Sequence, residues 1–244
     1  MSFSDEEVER YARHLVLREI GGPGQQALKA ARVLIVGVGG LGSPAALYLA
    51  AAGVGTLGLI DPDAASLSNL QRQILYTGSD LDQPKVSAAA KHLAALNPHV
   101  ETLLFAEKIA AHNARSIISR FDVVLDGTDS FETRFCINEA CVAEAKPLVS
   151  GALGRWTGQI GVFSGKPCYR CLVPDVPPDA ETCSAVGVVG ALAGVIGSMM
   201  ALEAIKLITG AGEALTGRMM IYDGLSAEAR TVKVGADPEC PVCG

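Results

Sequence analysis

Apolar positions over 5–19 recur at helical spacing, with Val8, Tyr11, Leu15 and Val16 on one side and a Ser4/Glu7 capping box at the start. The pattern predicts an amphipathic N-terminal helix. It then switches to short unbroken apolar runs: RVLIV at 32–36 and TLGLI at 56–60 read as buried strands, joined by a glycine turn and a helix of small residues over 41–52. Helical patterns at 84–96 and 131–145 alternate with apolar runs near 100–105, 122–126 and 147–150. That alternation predicts an α/β fold, a Rossmann-like doubly wound, mainly parallel sheet with helices on both faces. After Gly151, strands at 158–163 and 218–234 flank a long apolar segment, so the last third reads as an extension of the sheet. The expected organisation is a single domain over 1–244: N-terminal helices to 30, a nucleotide-binding part over 31–151, and a final part over 152–244.

The apolar segment, 186–202, is marginally short for a membrane span, is interrupted by four glycines and is followed at once by Glu203 and Lys206. A helix buried in a core or subunit interface is the better reading, and no membrane partner is expected. Net charge of −6 with pI near 5.3 argues against a nucleic-acid surface, which needs clustered Lys and Arg. The acidic start MSFSDEEVER has no apolar h-region, so the expected location is cytoplasmic.

Candidate chemistry begins at Gly37-Val38-Gly39-Gly40-Leu41-Gly42. Three glycines at G-x-G-x-x-G spacing between a strand and a helix allow a tight turn, close approach to phosphate and close helix packing. Asp61 ends the second strand 19 residues after Gly42, where a carboxylate commonly holds ribose hydroxyls. These features alone favour a dinucleotide oxidoreductase. SLSNLQRQIL at 66–75 does not fit it, because it offers Asn69, Gln71 and Arg72 to the same pocket, and Arg72 with the later Lys85 makes two cations that suit a triphosphate. In VVLDGTDSFETRF, Asp126 and Asp129 fall at the carboxyl end of a further strand and are expected to face the same crevice. Asp129 is the candidate for Mg²⁺, and Asp126 for Mg²⁺ or for capping the turn.

Cys168-x-x-Cys171 and Cys240-x-x-Cys243 supply four thiolates, enough for a closed tetrahedral structural Zn²⁺ site. With 68 residues between the pairs, such a metal would pin the C-terminus back to the loop after residue 165. Cys136 and Cys141 read as small core residues. Cys183 follows the Pro-rich acidic stretch PDVPPDAET just before the apolar helix. There an unreactive loop thiol and one with a lowered pKa are equally compatible with the sequence. His14, His92, His99 and His112 have no ligand spacing.

RYAR at 10–13, VLIVGVGGLGSP at 33–44, IDPD at 60–63, SLSNLQRQ at 66–73, QPK at 83–85, LDGTDS at 125–130, PLVSGA at 147–152, CYRCL, ETC and CPVCG occur in this order along nearly the whole chain. Together they resemble the ubiquitin-activating-enzyme-like adenylyltransferases, in particular the MoeB/ThiF sulfur-carrier group. The resemblance implies that the glycine loop holds ATP, that Asp61 binds the ribose, and that Ser68, Asn69, Arg72 and Lys85 contact ATP. It puts Asp129 at the Mg²⁺ position and matches Arg13 to an arginine that reaches the phosphates of the partner subunit, hence a homodimer. It implies adenylation of the C-terminal Gly-Gly carboxylate of a small ubiquitin-like sulfur-carrier protein for molybdenum-cofactor or thiamine sulfur transfer. A cysteine at the Cys183 position links covalently to the carrier in some members and is dispensable for adenylation in the molybdenum branch.

Two departures stand out: Ser130 replaces the family's usual Asn, and no rhodanese-like domain follows Gly244, so a separate sulfurtransferase or cysteine desulfurase is expected to supply sulfur. The competing readings are an NAD(P)-dependent oxidoreductase and a non-catalytic scaffold that binds a ubiquitin-like protein.

Overall fold

In a computed structural model, which describes residues 3–176 and 187–244, eight strands form one sheet in the order β3-β2-β1-β4-β5-β6-β7-β8. The strands are β1 Arg32–Val36, β2 Thr56–Ile60, β3 Glu101–Phe105, β4 Val123–Asp126, β5 Leu148–Leu153, β6 Thr157–Phe163, β7 Arg218–Asp223 and β8 Glu228–Lys233. β1 to β5 pair in parallel, and β6, β7 and β8 continue the sheet antiparallel. The expected parallel half and its C-terminal extension are both present. The 218–234 run resolves into a hairpin rather than one strand.

The central parallel strands are covered on both sides, which is why their sequences are uniformly apolar. Against one face pack α3 Gly21–Ala30, α4 Gly42–Ala51, α5 Lys85–Leu96 and α9 Gly190–Thr209. The other face carries α6 Ala114–Ile118, α7 Phe131–Ala143 and α8 Tyr169–Leu172. By length and composition α9 could cross a membrane. Instead Leu192, Ile196, Met200 and Ala204 are buried in the core, as expected, while Val195 and Leu202 point outward. A Cβ on Gly197 would lie 2.4 Å from the Leu41 carbonyl oxygen, so this glycine lets α9 press directly on the start of α4.

The N-terminal segment differs from the expected single helix over 5–19. The capping box is present, with Ser4 and Glu7 bonded reciprocally, but α1 spans only Asp5–Arg10 and α2 only Ala12–Leu15. The break falls at Tyr11, whose buried ring stacks over Gly53 and whose hydroxyl accepts from Asn97 Nδ2 at 2.8 Å. Burying this aromatic side chain outweighs continuing a marginal helix. Beside it, Gln25 Nε2 donates to the Ala52 carbonyl, so Gln25 Oε1 is left to accept the His14 Nδ1 proton at 2.9 Å. These contacts fix the segment that carries Arg13.

Candidate active site

A cavity of about 480 Å³ opens beyond the carboxyl ends of β1, β2 and β4. The strand order reverses here, with β2 on one side of β1 and β4 on the other, as expected for a ligand crevice in an open α/β sheet. Gly37, Gly39, Gly40, Asp61, Asn69, Arg72, Lys85, Asp129 and Ser130 all line it. Gly42 does not. It lies beneath the loop, where a Cβ would come 2.1 Å from the Gly37 carbonyl oxygen, so glycine lets the loop close onto the first turn of α4. Val38, at the centre of the loop, is held from two directions: its N–H donates to Asp61 Oδ2 at 2.9 Å, and its carbonyl accepts from the Tyr76 hydroxyl at 2.8 Å.

Asp61 also accepts from the Asp63 N–H at 3.0 Å. Burial pushes its carboxyl up, and the Lys85 ammonium together with the two N–H bonds opposes the rise. Lys85 Nζ lies 2.8 Å from Asp63 and 3.6 Å from Asp61. Its own side chain is 5% exposed, against 65% for Asp63. The ammonium is thus anchored at depth by one carboxylate and held from the rim by another. Arg72 is oriented by the turn Leu67–Asn69: its guanidinium donates to the Ser68 carbonyl at 3.2 Å and to Asn69 Oδ1 at 3.0 Å. Ser68 therefore acts through its backbone, with its side chain outside the cavity lining.

Asp129 stands exposed at the cavity edge, and its carboxylate makes no hydrogen bond or ion pair among the described residues. A free carboxylate on a cavity that also holds Arg72 and Lys85 suits a hydrated Mg²⁺. Ser130 caps α7, its hydroxyl accepting from the Thr133 N–H. The expectation that Asp126 faces the crevice is corrected: it is fully buried, accepts from the Thr128 N–H and hydroxyl, and faces Arg134 at 3.4 Å. Capping the turn is its role, and this removes it as a metal ligand for the cavity. Arg13 is exposed on α2 and is not among the residues lining the cavity of its own chain. Cys183 lies outside the described residues.

Asp63, Gln73 and Arg134 also line the cavity and were not anticipated. Asp63 was within reach of the sequence, two positions beyond Asp61 in IDPD. Gln73 ends the SLSNLQRQ string. Arg134 carries no local signal, since it comes back to the site only through the packing of α7.

A second cluster forms at the far end of the sheet. The Sγ atoms of Cys168, Cys171, Cys240 and Cys243 all lie within 4.8 Å of one another, with Cys168 to Cys240 at 3.7 Å and Cys171 to Cys243 at 3.4 Å. A tetrahedron with Zn–S near 2.3 Å has sulfur–sulfur edges of about 3.8 Å, so the donor set fits Zn²⁺ with only small side-chain adjustments. Burial opposes ionisation of Cys240, but N–H groups of Val242 and Cys243 and the neighbouring thiols outweigh it and bring the thiol down to about 7. Burial pushes Cys243 up to about 12. Four thiolates at this spacing require a cation to coexist. Asn138 on α7 braces the cluster, donating to Cys168 Sγ at 3.5 Å and accepting from the Tyr169 N–H at 2.8 Å. As expected, Cys136 and Cys141 are part of the packing around α7.

A glycine loop, a carboxylate at the end of β2 and two oriented cations at the switch point define a nucleotide-binding protein of the doubly wound class. More narrowly, the chain belongs to the ThiF family, whose model matches residues 11–242. It is 44% identical over 253 residues to a sulfur carrier protein adenylyltransferase of Thermus thermophilus, covering 100% of this chain and 93% of the relative. It is 46% identical to the adenylyltransferase and sulfurtransferase MOCS3-1 of Zea mays, where 97% of this chain covers 52% of the relative. The chain thus spans about half the length of the maize protein. In fold it is similar to Escherichia coli MccB solved with MccA-N7isoASN, at a TM-score of 0.85 and 23% identity, over 96% of this chain and 75% of MccB.

Proposed function

We propose that this protein adenylates the C-terminal glycine carboxylate of a small ubiquitin-like sulfur-carrier protein at the expense of ATP, releasing pyrophosphate. The observation that carries the reading is the convergence of Arg72, Lys85 and Asp129 on the glycine-loop cavity, with no histidine among its lining residues. The carboxylate oxygen attacks the α-phosphorus, the bond to the bridging oxygen of the β-phosphate breaks, and pyrophosphate departs with the electron pair. A glycine carboxylate is already ionised at neutral pH, so the step needs no base. Catalysis is then positioning and charge neutralisation.

Arg72 is pre-oriented for a two-pronged grip on phosphate oxygens, and Lys85 provides a point charge deeper in the cavity. Asp61 accepts from the ribose hydroxyls. Asp129 would hold Mg²⁺, which when bound neutralises phosphate charge. Ser130 supplies a shorter polar contact than the usual Asn. Zn²⁺ on the four cysteines would be structural.

The finer parts of the reading are a cytoplasmic homodimer in which Arg13 of each subunit completes the partner's phosphate site, and service of a molybdenum-cofactor or thiamine pathway with a sulfurtransferase or cysteine desulfurase among its partners. Pinning of Tyr11 and His14 supports the first, because it holds Arg13 on a fixed outward turn.

Carrier-dependent exchange of labelled pyrophosphate into ATP tests the reaction. Exchange with a Gly-Gly-terminated carrier, and none with a truncated one, is the expected result. Binding of the carrier without exchange would leave only a scaffold. Arg72→Ala should lower exchange by roughly 10²-fold, the size associated with one preorganised charge contact in a transition state. Unchanged exchange would remove Arg72 from the phosphate site.

A further inference from the structure

Arg134 lies in the cavity wall, yet it is 5% exposed and its terminal nitrogens are fully engaged by the protein. One nitrogen donates to Asp126 Oδ2 at 3.4 Å and to Ser150 Oγ at 3.0 Å. The other donates to the Thr128 carbonyl and, at 2.8 Å, to the Gly151 carbonyl. Each terminal nitrogen carries two hydrogens, so all four of these are used within the protein. The partners belong to two segments: Asp126 ends β4 and Thr128 lies in the loop that follows it, while Ser150 and Gly151 lie within β5. Asp126 is itself tied into the sheet, in register with Val36 and Ser150 and accepting from the Ser150 hydroxyl at 3.2 Å, and the Gly127 N–H donates to the Val36 carbonyl at 2.9 Å, so what Arg134 adds is the tie at Thr128. Asp126 bonds back to Thr128, and beyond Thr128 the Asp129 side chain is unsupported among the described residues.

We propose that Arg134 is a positioning residue that clamps the 127–130 loop, through the Thr128 carbonyl, to β5 and so holds Asp129 at the phosphate end of the cavity. It does not touch the nucleotide. The base and ribose end, built on Asp61 and the glycine loop, has its own supports in Val38, Tyr76 and Lys85 and does not depend on this clamp. Loss of Arg134 should therefore separate two affinities that a general destabilisation would lower together. The assignment rests on the nucleotide reading of the cavity.

The test is calorimetric titration of the full-length protein with adenosine and with MgATP, for wild type, Arg134→Lys and Ser150→Ala. Lysine keeps the charge but can satisfy only part of the fork. Arg134→Lys should weaken MgATP at least about tenfold and leave adenosine within about threefold of wild type. Ser150→Ala, which removes the hydroxyl's two hydrogen bonds, from Arg134 and to Asp126, and no charge, should shift MgATP in the same sense by a smaller factor, and it keeps the test decisive if Arg134→Lys does not fold. Equal loss of both ligands, or MgATP binding unchanged in the soluble variants, would overturn the clamp. Wild-type protein that binds neither ligand would overturn the nucleotide reading and the clamp with it.

Discussion

Lys85→Met is expected to reduce pyrophosphate exchange by on the order of 10²- to 10³-fold and to move the acid limb of its pH profile toward neutrality. Both effects follow from where the ammonium sits. It is the deepest cation in the cavity and the principal counter-charge to Asp61, whose carboxyl burial already raises above the ordinary range. Removing the ammonium deletes a phosphate contact and raises that carboxyl further. A protonated Asp61 cannot accept from two donors in the same way, so activity fails at a higher pH than in wild type. The linkage to stability has the opposite sense. A carboxyl raised on folding contributes stability below its unfolded value and loses it as pH rises through the folded one, so mild acid should stabilise Lys85→Met more than wild type. Exchange rates across pH and thermal melts measure the two effects. An acid limb that stays in place would mean that Lys85 does not tune Asp61.

The second large effect is on stability. Cys240→Ser should release bound zinc and lower the melting temperature, because the folding contribution of a structural metal is its binding free energy. If a quarter of the roughly 10–16 kcal/mol typical of structural zinc is realised, the loss is about 3–4 kcal/mol, or roughly 6–16 °C at this chain length. The damage should be local. β8 is the edge strand, every residue in it is exposed, and the four-cysteine cluster joins the chain beyond it to α8 and its capping residue Cys168. Hydrogen exchange should accelerate first in β8 and the C-terminal tail, and only later in β1 and β4. Metal analysis of purified wild-type protein that finds no zinc would dispose of the site.

Much of this architecture is readable because the signals are local. RVLIV, the glycine turn and TLGLI predict a β-α-β unit by periodicity and turn chemistry alone, and the structure places each strand at those residues. The paired C-x-x-C motifs name their own chemistry, although only the fold brings Cys168 and Cys240 to 3.7 Å across 72 positions. What failed depended on long-range packing. The helical spacing over 5–19 is genuine, but burying Tyr11 against Gly53 breaks it, and no window of the N-terminus contains Gly53. Asp126 and Asp129 look equivalent at a strand end. Their roles diverge because Arg134, packed in from α7, captures one and leaves the other free.

Ser130 at the N-cap of α7 and Arg134 and Asn138 within it stand four positions apart, and so line one side of the helix. The first stands at the nucleotide cavity, the second grips the loop beside it, and the third braces the cysteine cluster about 12 Å further along the axis. Inserting or deleting a single residue between them would turn everything beyond it by about 100° and swing Asn138 off the cysteines or Arg134 off the loop. Point substitutions on the outward positions Glu132 and Glu139 carry no such penalty. The length of this segment should therefore be invariant even where its surface composition drifts, with the helix serving as a ruler whose gradations, rather than its paint, are under selection.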